Sequence, residues 1–207
     1  SIMRIISRSL LITEKIISFL MTALMANIFS YNDIGFWSQV LFASSIFTSI
    51  VGFNIPNGII AIVPRINKSK DRYELIFKSI LFILIIGLFF CISLIFFRDF
   101  ISKILFNEIL DLNIFVLILT IGFGELLLEF ILFTYRSVKN FSFSNYILIL
   151  RILPRIVAIA GILKNDIILI LYLYSSTYFF VCIFVYLVLL KNNRKTILSL
   201  LSLIHIS

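Results

Sequence analysis

Apolar residues run along this chain in six long blocks, broken only by short polar connectors. The blocks fall at about 9–29, 34–63, 75–97, 112–135, 143–163 and 167–190. About 20 mostly apolar residues are enough for a helix to cross ~30 Å of hydrocarbon. Lipid offers no partner to an open strand edge or a bare loop, so each block is expected to be helical. The runs are rich in Ile, Leu and Phe without a heptad seam, which argues against a coiled coil. The expected fold class is all-α, a polytopic membrane helix bundle. Its body is residues 1–196, and no connector is long enough for a soluble catalytic domain.

The connectors carry the remaining signals. Residues 30–35 form a first polar loop, with Phe36 and Trp37 at the outer interface, where aromatic side chains collect. The second block is interrupted at Asn54-Ile55-Pro56-Asn57-Gly58. Proline lacks the backbone donor and clashes with the carbonyl four residues back, so Gly52 loses its helical partner. Pro56 and Gly58 are therefore read as a helix break. Asp71 and Glu74 mark the start of the third span. Residues 98–111 mix both signs and predict a short external amphipathic stretch. Residues 141–145 are a polar entry to the fifth span, and Lys164-Asn165-Asp166 is a tight external turn.

Composition agrees with the pattern. Hydrophobic residues make up 61% of 207 residues and mean hydropathy is +1.15. The net charge of +8 is better explained by topology than by nucleic acid. Lys and Arg are retained on cytoplasmic loops. An N-terminus inside places Arg4, Arg8, Arg65, Lys68, Lys70, Arg72, Arg136, Lys139, Lys191, Arg194 and Lys195 in the cytoplasm. Only Arg98, Lys103 and Lys164 are then outside. Both ends are expected to be cytoplasmic.

The two cysteines, Cys91 and Cys182, stand singly in apolar spans and read as packing residues rather than a disulfide or metal site. The chain opens on Ser1, and residues 197–207 resemble translated adapter read-through. His205, the only histidine, is accordingly expected to carry no chemistry. Nothing resembles a phosphate-cradling Gly-rich loop, a metal-ligand cluster or a nucleophile–histidine pair, so no enzyme, cofactor or metal is expected.

Ionisable residues within a span are costly and by default face protein or water along a pathway. Glu14 and Lys15 lie in the first span. Glu125 and Glu129 lie in the fourth and Arg151 and Arg155 in the fifth, each pair four apart and so on one helical face. At 1.5 Å per residue, Glu129 and Arg151 both fall ~10–12 Å from the cytoplasmic boundary, and Glu125 and Arg155 both ~16–18 Å. The antiparallel neighbours are expected to pair Glu129 with Arg151 and Glu125 with Arg155. Glu14, Lys15 and the Pro56 break fall at a similar depth, so one shared polar cavity is expected. Structural pairing or snorkelling to the headgroups is the competing reading.

Several of these stretches are similar to a known family. The run from Leu10 to Phe29, followed by Tyr31-Asn32-Asp33-Ile34-Gly35-Phe36-Trp37, resembles the opening of polysaccharide biosynthesis flippases. Gly52 to Gly58, closing at Ile62-Val63-Pro64-Arg65, looks like that family's Gly-rich break and basic exit. Tyr135-Arg136-Ser137-Val138-Lys139, followed by a charged fifth span, is also similar. The resemblance implies the multidrug/oligosaccharidyl-lipid/polysaccharide exporter superfamily, whose members have two six-helix lobes around a central cavity. This chain would be the first lobe, with the second missing. The implied function is flipping an undecaprenyl-pyrophosphate-linked oligosaccharide across a bacterial inner membrane. Its partners would be the lipid-linked oligosaccharide, membrane lipids and other polysaccharide assembly proteins, with no nucleic acid. Arg151, Arg155 and Lys15 would attract the headgroup, and Glu125, Glu129 and Glu14 would serve as charge partners or in ion coupling. The alternatives are a peptidoglycan-precursor flippase, a cation-coupled multidrug exporter or, from another class, a membrane polysaccharide polymerase.

Overall fold

A computed structural model describes residues 2–52 and 55–192. Among them the elements are α1 (Ile2–Ile28), α2 (Tyr31–Gly52), α3 (Ile55–Ile62), a 3-10 turn at Val63–Arg65, α4 (Ser69–Phe96), α5 (Arg98–Phe106), α6 (Leu112–Ser137), α7 (Phe141–Leu163) and α8 (Ile167–Asn192). Six of these helices (α1, α2, α4, α6, α7, α8) are long and apolar enough to cross a membrane. The chain is an all-α, multi-pass membrane helix bundle. The tail at 197–207, Arg194 and Lys195 of the topology count, and Asn54 of the expected break all lie outside the described residues.

Helix starts are set by local chemistry. Ser30 and Asp33 form a reciprocal cap. The Ser30 hydroxyl donates to Asp33 at 2.6 Å and accepts from the Asp33 N–H at 3.3 Å. Residues expected as the first polar loop are thus mostly the first turn of α2, where a carboxylate also favours the positive end of the helix dipole. Asp111 accepts from Leu112 N, Asn140 from Phe143 N and Asp166 from Leu169 N, capping α6, α7 and α8. Asn107, Lys139 and Asn165 take positive φ in the turns.

The second block is described in two pieces, α2 to Gly52 and α3 from Ile55, and residues 53 and 54 between them lie outside the described residues. Pro56 and Gly58, expected as a helix break, both lie within α3, and Gly58 stands beside open space. Residues 98–106, expected as an amphipathic stretch, form α5, which buries Ser102 and Phe106 and exposes Phe100 and Ile104.

Side-chain contacts fix how the helices run. Ser44 donates to the Ile118 carbonyl, Thr48 to that of Gly122, and Gly52 lies against Leu126, so α2 and α6 are parallel and in register. Asn145 donates to the Met3 carbonyl, and Glu14 meets Arg151 and Arg155, so α1 and α7 are also parallel. Parallel even spans and parallel odd spans are what six alternating crossings require. Central α6 has 61% of its apolar span buried, against 17% for those of α1 and α4. Glycines allow the closest approaches. A Cβ on Gly122 would meet Phe47 at 2.9 Å, and one on Gly161 would meet the Ile170 backbone nitrogen at 2.9 Å.

Candidate functional site

The polar interior is built where α1, α6, α7 and α8 meet. Glu14 is 5% exposed, a carboxylate among apolar helices, and its position on α1 aims it at α7. Its Oε1 forms ion pairs with both arginines, 3.2 Å from Arg155 Nη1 and 3.5 Å from Arg151 Nη2. One carboxylate oxygen thus serves two guanidiniums. A charge of either sign at membrane depth is strongly disfavoured alone, and the three-residue cluster offsets part of that cost.

Pro154 lies between the two arginines, inside α7. It supplies no N–H to the Leu150 carbonyl, which weakens the backbone ladder at this turn. Arg155 Nη1 also donates to the Arg151 carbonyl at 2.9 Å, so a side chain binds the helix backbone beside the proline. The same region holds two contacts that tie the start of α1 to the α6–α7 turn. Arg136 Nη2 donates to the Ser7 hydroxyl at 2.9 Å, and Asn145 Nδ2 to the Met3 carbonyl at 3.2 Å.

Glu125 belongs to a second, aromatic arm. It accepts from the Tyr178 hydroxyl at 3.2 Å. Tyr178 stacks edge-on with Tyr174 at 5.1 Å, and Tyr174 with Trp37 at 5.4 Å. All three rings are buried. The ladder leads from Glu125 toward the end of the bundle where α2 and α8 begin. On its far side, the Tyr178 ring lines an apolar cleft of about 340 Å³ between α4, α6 and α8, together with Phe123, Cys91 and Cys182.

The expected pairs Glu129–Arg151 and Glu125–Arg155 are not formed. Both arginines pair with Glu14 instead, because α1 packs along α7 in parallel and its carboxylate reaches them first. Glu129 is half-buried and makes no ion pair or hydrogen bond among the described residues. Lys15, expected in the cavity, is exposed on the other face of α1 beside Leu11, Ile12, Ile16 and Phe19. One residue of helix is a rotation of about 100°, which separates it from Glu14. Arg136, read above as a topology charge, enters the polar interior, as do Ser7, Asn145, Tyr174 and Tyr178. The signal for Arg136 was its place at the end of a span, within reach of Ser7 only once α1 packs there. In comparisons with protein-family models, curated proteins and solved structures, nothing matches this chain.

Proposed function

We propose that this chain is one six-helix lobe of a transporter that flips a lipid-linked oligosaccharide, carried on undecaprenyl pyrophosphate, across a bacterial inner membrane. The observation that carries the reading is the buried cluster of Arg151 and Arg155 with Glu14 inside an otherwise apolar bundle. Guanidiniums bind phosphate oxygens through charge-assisted, often bidentate hydrogen bonds, and they keep their charge at membrane depth. A lipid-linked substrate needs a polar path only for its head, since the tail stays in hydrocarbon. The resemblance of residues 10–65 and 135–139 to polysaccharide flippases adds to this reading. A multidrug exporter for organic cations would call for an acidic cavity, and two largely buried arginines disfavour it.

The test is flipping of a fluorescent polyprenyl-pyrophosphate oligosaccharide in proteoliposomes, using the full-length parent reading frame. We expect protection of the headgroup from an external quencher to change with time for the parent. We expect loss of that activity in Arg151→Ala with Arg155→Ala, and none from residues 1–207 alone. Sugar transfer by the purified parent would instead point to a polymerase, and activity untouched by the double change would reject the assignment of the arginines.

A further inference from the structure

Donors outnumber acceptors in the polar interior. Arg151 and Arg155 share the single oxygen Oε1 of Glu14, at 3.5 and 3.2 Å, both longer than the ~2.7–2.9 Å of a tight guanidinium–carboxylate bond. The Nε of Arg151 is buried with no partner, and so is the Nε of Arg136, which lies within electrostatic range of both Arg151 and Glu14. Buried polar groups are nearly always satisfied, so two orphaned guanidinium N–H groups, one of them on an arginine that shares the Glu14 oxygen, point to a missing set of acceptors. Glu125 and Glu129 do not supply it. Glu125 is held by Tyr178, and neither carboxylate is within ion-pair distance of Arg151 or Arg155. Glu14 of α1 is thus the one carboxylate in ion-pair contact with Arg151 and Arg155 among the described residues, while Glu125 of α6 lies within electrostatic range of both without contact.

The attachment of α1 makes this consequential. Its outer face, including Ile5, Ile12, Ile16, Phe19 and Leu20, is exposed to the surroundings of the bundle. Among the described residues, its polar ties to other helices are the Glu14 pairs and the two bonds from Arg136 and Asn145. We propose that Glu14 is a built-in counterion that a pyrophosphate-type anion displaces from Arg151 and Arg155, so that binding of the anion releases α1 from α7. This rests on the reading of the arginines as a headgroup site and adds how the site is closed when empty. A diphosphate offers each guanidinium its own oxygens and more negative charge than one carboxylate, so the exchange favours the ligand. Glu14 then loses its partners, and the α1–α7 contact loses the charge that held it.

The test uses spin labels on cysteines at Ile6 of α1 and Ile149 of α7, both exposed, with Cys91 and Cys182 changed to alanine. Label distance and affinity are measured in the full-length parent with inorganic pyrophosphate in solution. A second arm uses nanodiscs of phosphatidylcholine with or without polyprenyl pyrophosphate. A longer distance on adding either ligand supports the latch. The solution arm identifies a free anion as sufficient, and a response confined to the doped discs identifies a lipid headgroup. Glu14→Gln removes the competing charge and keeps the shape, so it should bind pyrophosphate about tenfold more tightly, the scale of one charge-assisted hydrogen bond. Glu14→Asp should fall between. Binding by Glu14→Gln alone, with none by the native protein, also supports occlusion by Glu14. Equal or weaker binding by Glu14→Gln, or a ligand that binds the native protein and leaves the distance unchanged, overturns the proposal. A latch that opens in a parent that flips nothing leaves the latch standing and removes the transport reading. Flipping with no effect of Glu14→Gln on affinity or distance does the reverse.

Discussion

Glu14 holds two cations while each arginine has only one anionic partner, and this asymmetry ranks the substitutions. Glu14→Ala strands both Arg151 and Arg155 and should cost about 3–5 kcal/mol, as breaking a buried pair does. Arg155→Ala leaves Glu14 with Arg151 and should cost less, about 1.5–3 kcal/mol for one charged hydrogen bond. The triple change Glu14→Leu, Arg151→Met, Arg155→Met removes every charge of the cluster and should recover most of the stability. Thermal unfolding in detergent gives the order, and Arg155→Ala costing more than Glu14→Ala would contradict it. The charged residues themselves were legible, because Glu14, Arg151 and Arg155 stand out in apolar runs. Their pairing was not. Depth along neighbouring spans matched Arg151 and Arg155 to α6, whereas the parallel approach of α1 decided the partner.

Helix ends and close approaches decide behaviour at the level of elements. The α7–α8 hairpin needs Gly161, since a Cβ there would fall 2.8–3.0 Å from the Ile170 side chain and backbone. Gly161→Ala should destabilise by about 1–3 kcal/mol, as overpacking does when backbone cannot yield. Gly58→Ala in α3 meets nothing within 4 Å and should be neutral or stabilising by up to ~1 kcal/mol, since alanine is the better helix former. Denaturation of the two variants side by side checks this, and an equal loss from both would mean the hairpin is not close-packed. The capping residues Asp111, Asn140 and Asp166 lie where polar connectors were expected, because a cap is a local device written in adjacent residues.

At the scale of the molecule, the two parallel registers tie alternate spans together. Phe36 touches Phe106 and Trp37 touches Tyr174, which puts the starts of α2 and α8 and the end of α5 at one end of the bundle. Arg136 and Asn145 bind Ser7 and Met3 at the other. Combined with the bias of basic residues, cysteines at Asn32 and Asn165 should be labelled from outside intact cells, and one at Asn67 only after permeabilisation. External labelling at Asn67 would overturn the orientation. Span number was legible because lipid enforces length and composition. Neighbour choice was not, because helices with lipid on one side and protein on the other are apolar all round, so periodicity carries no address.

The contact between α1 and α7 also has a timing. Glu14 leaves the ribosome 137 residues before Arg151, and at ~5–20 residues per second that interval is on the order of ten seconds. Throughout it, the first helix carries a carboxylate whose partners have not been made. Nascent chains halted between α6 and α7 should therefore hold α1 loosely, extractable by alkaline carbonate or accessible to protease. Chains halted after Leu163 has cleared the translocon should hold it firmly. Glu14→Leu should abolish the difference by letting the first helix settle alone. Firm early integration of the native α1 would mean that its carboxylate finds another shelter during synthesis.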